Sequence, residues 1–333
     1  MKIYSTTRRA VQQLICGAAV AMFFCGAMPA AAQSSLPKVT WVSPTPVLDG
    51  GPFFEELRRG LREFGYVEGR NIQLEAAWSD GTPQRSAKLL AEVLATSPAL
   101  IVTQGSMGPL ASKLVTGIPV VFGYSGDPIE AGMIDSLPRP GRNMTGLTYM
   151  NVELVGKRME LLKELLPRAK RIAVVASPAH PGDSSERRAT QAAAARLGVA
   201  IEYFEVLATT PIADILVMVE KSRGDAAMFF PTQTIIANRS RIAEWSIKTK
   251  VPTISGWAQF AEGGNVISYG PNLAEASRRL AFYVDRILKG AKPGELPVEI
   301  PNRVEMVVNQ KTARAIGVVV PQSVLLRADR VID

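Results

Sequence analysis

The chain has 333 residues, with 38 lysines and arginines against 30 aspartates and glutamates, one histidine and two cysteines. The basic residues are scattered rather than interleaved with aromatic side chains, which argues against a nucleic-acid partner. Cys16 and Cys25 both lie near the N-terminus, in a segment that we expect to be removed. Disulfides, cysteine nucleophiles and thiolate metal sites are thereby excluded from the remaining chain.

Residues 1–32 have the pattern of a secretory signal peptide. Lys2, Arg8 and Arg9 form a basic start, and residues 14–28 form an apolar run that is short for a membrane span. The triplet that ends at Ala32 supplies a small-residue cleavage site. We therefore expect cleavage near Ala32 and a periplasmic location. An uncleaved anchor is the alternative, which the small residues at the end of the run disfavour.

The following residues alternate strand and helix patterns. Apolar runs predict strands, and apolar residues at helical spacing, such as Phe53 and Leu57, predict helices. We predict strands over residues 38–43, 71–77, 99–103 and 119–122, and helices over residues 53–64, 83–94 and 107–115. Residues 44–52 predict a loop, and residues 145–149 predict a strand that leads into a second lobe.

The same alternation continues through the second half of the chain. We predict helices over residues 152–166, 184–197, 212–221, 235–248, 273–288 and 310–316, and strands over residues 171–176, 200–206, 226–230, 251–255, 266–269 and 304–308. Repeated strand–helix units with short connections favour parallel sheets that are covered by helices on both faces. The predicted fold class is α/β, with two Rossmann-like lobes.

Polar and aromatic residues at the ends of the predicted strands indicate a binding cleft. In open α/β sheets, ligands bind beyond the carboxyl ends of the strands. Asp127, in the loop after residues 119–122, suits an ammonium group, and Ser106 suits a carboxylate. The predicted ligand-binding residues are Ser43, Gln104, Gly105, Ser106, Tyr124, Asp127, Thr148, His180, Thr232, Gln233 and Trp257. The alternative is a half-buried surface aromatic for Trp257 and a helix cap for Thr232 and Gln233.

Little in the sequence supports catalysis, and we predict no catalytic residue, no metal and no cofactor. The single histidine, His180, has no cysteine near it for a zinc site. A serine–histidine triad would depend on this residue alone, without a G-x-S-x-G motif, and no nucleotide-binding glycine motif is present. A secreted α/β hydrolase remains an alternative, and it predicts that His180→Ala abolishes turnover.

Five segments together resemble the tryptophan/tyrosine-type group of ABC transporter substrate-binding proteins. They are GYVEGRN at residues 65–71, SGDPIEAGMIDSLPRPGRNMTGLT at 125–148, KRMELLKELLP at 157–167, GGNVISYGPN at 263–272, and residues 296–333. The resemblance covers essentially the whole chain after the signal peptide. It implies a type I periplasmic binding protein fold, in which two lobes joined by three crossovers close on a solute.

The resemblance also implies how the lobes divide the chain. Lobe 1 would comprise residues 33–146 plus about 271–292, and lobe 2 residues 147–270 plus about 293–333. Crossovers would lie near residues 145–149, 269–272 and 289–297.

The implied function is that of a monomeric receptor that presents an amino acid, possibly aromatic, or a related carboxylate to an ABC permease and its ATPase. It would touch the membrane only through the permease. Asp127 occupies the family's Asp-Pro loop, whereas Gly123, Tyr124 and Arg142 depart from the commoner residues, and the bulk of Tyr124 argues against an aromatic amino acid. A ligand-sensing domain for a membrane signalling partner would bind in the same way and is a further alternative.

Overall fold

The computed structural model describes residues 36–333 except 45, 80–81, 150–151, 179, 181, 208–209 and 302. The expected signal peptide therefore lies outside the described residues. Within the described part of the chain, none of the helices combines the length and the hydropathy of a membrane span.

Strands in the described chain form two sheets. They are β1 (Lys38–Ser43), β2 (Gln73–Trp78), β3 (Leu100–Gln104), β4 (Val120–Tyr124), β5 (Met144–Thr148), β6 (Arg171–Ala176), β7 (Ala200–Glu205), β8 (Ala226–Phe229), β9 (Thr253–Ser255), β10 (Ile267–Pro271), β11 (Val304–Asn309) and β12 (Arg330–Ile332). The first sheet has the order β2-β1-β3-β4-β5, and the second has the order β12-β11-β10-β9-β8-β6-β7. We call the residues packed around the first sheet the first lobe and those around the second sheet the second lobe.

Helices follow most of the strands and cover the sheets. They span Val47–Glu63, Pro83–Ala95, Met107–Leu114, Val152–Leu165, Asp183–Leu197, Ile212–Lys221, Gln233–Ala237, Arg239–Thr249, Ala258–Glu262, Leu273–Leu288, Gln310–Ala315 and Gln322–Arg327. Strand neighbours pair in parallel, except that β10 and β11 are antiparallel. The predicted α/β fold with two parallel-sheet lobes is confirmed.

The parallel register brings distant strand ends to one edge of the first sheet. In β1, Val42 pairs with Thr103, and in β3, Gln104 pairs with Gly123. The carboxyl ends of β1, β3 and β4 therefore meet at the same edge, as in other open α/β sheets where this edge binds ligands.

Several elements differ from the sequence-based expectation, and helices Ala258–Glu262 and Gln322–Arg327 were not predicted. The first helix begins at Val47 and includes Pro52, although residues 44–52 carry the glycine and proline signals of a loop. Residues 235–248 form two helices that break at Asn238. The short strand β12, which pairs with β11 at the edge of the second sheet, carries too few residues for its alternation to show in the sequence.

Hydrogen bonds show where the chain passes from one sheet to the other. Strand β5 pairs with β4 as far as Thr148, so the first passage follows that residue. Helix Leu273–Leu288 returns to the first lobe, where Leu280 and Val284 share a core with Leu57. Backbone bonds also join Glu299 to Gly146 and Thr148 at the edge of the first sheet, before the chain enters β11.

Candidate functional site

A cavity of about 50 Å³ lies between the carboxyl ends of the two sheets. The residues that line it are Trp41, Ser43, Gly50, Phe53, Gln104, Gly105, Gly123, Ser125, Tyr149, Gln233, Trp257, Leu273 and Ser277. We call this set the cleft. Gln233 and Trp257 follow β8 and β9 in the second lobe, and the other members pack around the first sheet. Each side chain in the cleft is uncharged at neutral pH.

Four aromatic side chains surround the cleft: Trp41, Phe53, Tyr149 and Trp257. Trp41 stands two residues before Ser43 in β1, and alternate residues of a strand point to the same face of the sheet. Trp41 is 1% exposed and Trp257 is 9% exposed, so both indole rings are buried at the junction of the lobes. Aromatic walls of this kind suit an apolar or aromatic ligand.

Three hydrogen-bond donors in the cleft are buried without a partner. They are the indole nitrogens of Trp41 and Trp257 and the amide nitrogen of Gln104. A buried polar group that lacks a hydrogen bond costs about 1–3 kcal/mol, so such groups at a cavity are candidates for contact with a ligand.

Gly123 keeps the centre of the first wall open. A Cβ atom at this position would overlap the hydroxyl of Tyr149 and lie 2.8 Å from the side-chain amide of Gln104. The Tyr149 hydroxyl donates to Oε1 of Gln104 at 3.4 Å, and burial raises the pKa of the Tyr149 phenol above its usual range. Tyr149 therefore stays a neutral hydrogen-bond donor in the cleft.

Ser125, in the first lobe, contacts His180, in the second. Oγ of Ser125 lies 3.1 Å from Nε2 of His180, and Nδ1 of His180 lies 3.5 Å from a carboxylate oxygen of Glu186. The arrangement has the outline of a Ser–His–Glu triad. However, the backbone N–H of Gly182 donates to Nδ1 at 3.2 Å, and from this contact we assign the ring proton to Nε2. Nε2 then donates to Ser125, whereas a general base would have to accept from it.

A buried guanidinium lies behind the second wall of the cleft. Arg158 is 0% exposed, its Nε donates to the carbonyl of Tyr269 at 2.8 Å, and both Nη atoms lack a partner. A Cβ atom at Gly256 would lie 2.6 Å from Nη2, so only a glycine fits there. Burial lowers the pKa of Arg158 to about 10, while Glu186 opposes that change, and the group remains charged at neutral pH.

Five of the residues predicted from the sequence lie together in the cleft. They are Ser43, Gln104, Gly105, Gln233 and Trp257. His180 does not line the cleft. It contacts Ser125, which does line it. Each of these residues lies at the carboxyl end of a strand or in the segment that follows it.

The other predicted residues lie outside the cleft. Asp127 accepts hydrogen bonds from the backbone N–H groups of Ile129 and Glu130 at 2.8 and 3.2 Å, so its carboxylate stabilises its own turn. Tyr124 is buried in the core of the first lobe, where burial and Asp127 raise the pKa of its phenol.

Ser106, Thr148 and Thr232 also have other surroundings. Ser106 is exposed before helix Met107–Leu114. The hydroxyl of Thr148 donates to the carbonyl of Gly126, and that of Thr232 caps helix Gln233–Ala237 by accepting from Ile235. The alternative reading of Thr232 as a helix cap is the one that the structure contains.

Sequence reasoning missed several residues of the cleft, among them Trp41, Phe53, Ser125 and Tyr149. Trp41 could have been found from strand alternation, because it shares a face with Ser43. Phe53 was assigned to the apolar face of a helix over residues 53–64, and such a face is typical of core packing. Tyr149 directly follows β5, so the rule that selected Gln104 would also have selected it.

The chain matches the family described as ABC transporter substrate binding protein over residues 53–332. It is 21% identical over 272 residues to a protein named Tyrosine-binding protein from Clostridioides difficile, covering 80% of this chain and 77% of that relative.

Solved structures share the fold. A structure of the ABC domain from Streptococcus pneumonia in complex with L-Trp superposes with a TM-score of 0.81 at 24% identity, over 90% of this chain and 100% of that one. A conserved domain protein from Vibrio cholerae gives a TM-score of 0.82 at 25% identity, over 88% of this chain and 99% of that one. A ligand-free, open structure of a substrate-binding protein from Clostridium difficile gives 0.67 at 18% identity, over 89% and 99%.

The two mostly parallel sheets with flanking helices match the type I periplasmic binding protein fold. The family match extends over far more than half of the chain and includes most of the residues that line the cleft. The chain belongs to the family of ABC transporter substrate-binding proteins.

Proposed function

We propose that this protein captures a small solute in the cleft, outside the inner membrane, and presents it to the permease of an ABC importer. The ligand is an amino acid, in particular an aromatic one, or a related carboxylate. The observation that carries this proposal is the aromatic, uncharged cleft at the facing strand ends of both lobes. The names of the relatives support the ligand class, since one is a tyrosine-binding protein and another was solved with L-Trp.

Binding requires the lobes to move. The cleft holds about 50 Å³, whereas pockets for small molecules typically measure about 300 Å³ or more. Two polar contacts join the lobes across it: Ser125 with His180 at 3.1 Å, and Asp49 with Arg239 at 3.1 Å. We expect both contacts to break when the lobes open and to form again around the solute, by hinge motion of the kind known for such receptors.

The proposed binding residues are the cleft members of both lobes. Ser43, Gln104 and Gly105 from the first lobe would face Gln233 and Trp257 from the second. The proposed partners are the permease and the ATPase of the importer, with the receptor acting as a monomer.

A thermal-shift screen of the purified protein tests the proposal. Probes would include aromatic and aliphatic amino acids, aromatic acids, purines and small sugars. A ligand at 100 times its dissociation constant stabilises the folded state by about 2.7 kcal/mol, which raises the unfolding midpoint. The proposal fails if no small solute raises it.

Two matched variants locate the binding. Phe53→Ala removes a ring from the cleft and should abolish the rise of the unfolding midpoint that the ligand causes. Phe64→Ala removes a ring near the other end of the same helix and should preserve that rise. An equal loss in both variants would place the solute elsewhere.

We also propose that the protein does not turn its ligand over. The hydrogen bond from Gly182 to Nδ1 of His180 supports this, because the tautomer that it assigns presents Nε2 to Ser125 as a donor and not as a base. Incubation with p-nitrophenyl acetate should give the same slow hydrolysis for the wild type and for His180→Ala. A loss of turnover in that variant would restore the hydrolase alternative.

A further inference from the structure

We infer that the cleft recognises its ligand chiefly by the carboxylate, and therefore binds aromatic carboxylic acids whether or not they carry an amino group. This inference rests on the proposed function and names the substrate class more closely. It follows from the polarity of the groups that meet at the cleft.

Three residues that line the cleft, from both lobes, carry unpartnered donors. Trp41 and Gln104 of the first lobe and Trp257 of the second each carry a buried N–H group without an acceptor. An indole N–H can only donate, so the two indole nitrogens accept no hydrogen bond from a ligand. A carboxylate offers about four acceptor positions on two oxygens, which matches this set of donors.

The contact between the lobes makes Ser125 a fourth donor. Because Gly182 donates to Nδ1 of His180, the Nε2 proton of His180 points to Ser125 Oγ. The hydroxyl of Ser125 accepts that bond and retains its own proton for another acceptor. Since Ser125 lines the cleft, closure presents a further donor to the ligand.

Arg158 adds a positive charge behind the same wall. Its unpartnered Nη2 faces the backbone of Gly256, next to Trp257, and no side chain intervenes at Gly256. The carboxylate of Glu186 offsets part of this charge. The fully buried guanidinium is screened by water much less than a surface charge, so it favours an anion in the cleft.

Two carboxylates close to the cleft, Asp127 and Asp49, are already engaged. Glu186 lies beyond His180 without lining the cleft. None of the described residues that line the cleft carries a carboxylate. Asp127 accepts from its own turn, and Asp49 pairs with Arg239. An ammonium group in the cleft would therefore meet neutral acceptors, while the carboxylate would meet several donors.

Calorimetry with three probes that share one ring tests the inference: 3-phenylpropionate, phenylalanine and 2-phenylethylamine. We expect the acid to bind within about tenfold of the amino acid and the amine at least about a hundredfold more weakly, because hydrogen bonds to a charged group are the strong ones. An acid that binds a hundredfold more weakly than the amino acid would overturn the inference. A sugar or purine as the sole ligand would also overturn it, yet leave the receptor function standing.

Matched tryptophan variants identify the donors. Trp257→Phe keeps a ring in the cleft but removes the N–H group, and Trp245→Phe does the same to a buried, unpartnered indole on helix Arg239–Thr249 outside the cleft. With Trp257→Phe we expect affinity for 3-phenylpropionate to fall about tenfold and affinity for the neutral 3-phenylpropanol to stay unchanged. Trp245→Phe should change neither.

An equal loss of acid and alcohol in Trp257→Phe would mean that the indole only packs against the ligand, and the inference would fail. Trp41→Phe repeats the comparison from the first lobe, where the ring is 1% exposed. The alcohol thus serves as an internal control for correct folding of each variant.

Discussion

The cleft and a second groove show that volume alone does not identify a binding site. The second groove, about 640 Å³, lies beside the passage from helix Leu273–Leu288 to β11, and we call it the crossover groove. Its walls include Phe64, Phe282, Ile300, Arg278, Arg279 and Arg303. The cleft holds only about 50 Å³.

The arginines of the crossover groove are all paired. Arg279 forms two bonds to Glu299, at 2.7 and 3.0 Å, Arg278 binds Glu56 at 2.6 Å, and Arg303 lies 3.0 Å from Glu275. In the cleft, by contrast, three buried donors have no partner. The groove is a satisfied surface, whereas the cleft has polar groups that a ligand can satisfy.

The largest expected effect comes from the buried charge behind the cleft. Arg158→Met breaks the bond to the Tyr269 carbonyl and removes a buried positive charge that interacts electrostatically with Glu186. Losing a hydrogen bond from a charged group and leaving a buried carbonyl without a donor costs up to about 3 kcal/mol. Urea unfolding of the variant should show a loss of this size.

The double variant Arg158→Met with Glu186→Gln sharpens this result. Because it removes both buried charges, we expect it to recover part of the stability that the single variant loses. If Arg158→Met unfolds at the wild-type urea concentration, the guanidinium has no structural role behind the cleft.

A smaller effect is expected from a methyl group in the first wall. Gly123→Ala forces Tyr149 and Gln104 to move, since the new Cβ overlaps the tyrosine hydroxyl. Overpacking of this kind costs about 1–3 kcal/mol, and we expect ligand affinity to fall at least about tenfold. Calorimetry and urea unfolding measure the two effects separately.

Gly51→Ala is the matched control for that substitution. Gly51 lies beside the cleft residue Gly50, and a Cβ there would meet its nearest atom, in Val47, at 3.8 Å. In a helix interior this change should stabilise the protein by up to about 1 kcal/mol and leave binding intact. Wild-type affinity in Gly123→Ala would show that the Tyr149–Gln104 pair is not part of the site.

The smallest effect is expected in the crossover groove. Arg279→Gln removes a half-exposed ion pair with Glu299, and such pairs contribute less than about 1 kcal/mol because water and salt screen them. Ligand affinity should not change. A large loss of affinity would show that the groove, and not the cleft alone, takes part in binding.

The pH dependence of the free energy of unfolding tests the ion pair between Arg279 and Glu299. Arg279 holds the pKa of Glu299 below its ordinary value of 4.5. The pair therefore stabilises the protein above that ordinary value, and this contribution is lost as the pH falls through the lowered value. In Arg279→Gln, the decline of stability below about pH 4.5 should be less steep.

Part of the cleft could be predicted because one general rule selects it. Ser43, Gln104 and Trp257 stand at or just after the ends of strands, and parallel strands bring those ends together. Asp127 also follows the end of a strand, yet its carboxylate accepts hydrogen bonds from the backbone N–H groups of its own turn. Local hydrogen bonding of this kind competes with any role toward a ligand.

The sequence by itself determined the fold class and most of the elements. Helix Leu273–Leu288 and strand β6 match their predicted bounds, because the spacing of apolar residues is a local property of the chain. The family resemblance, carried by segments spread along the chain, was equally readable and is confirmed.

Only the tertiary structure decided which polar groups remain without partners and which residues face each other across the lobes. Ser125 and His180 are 55 positions apart and belong to different sheets, so no local pattern relates them. The unpartnered nitrogens of Trp41, Trp257 and Arg158 depend in the same way on what distant segments pack against them. Burial and satisfaction are long-range properties, because folding brings the competing partners together from distant parts of the chain.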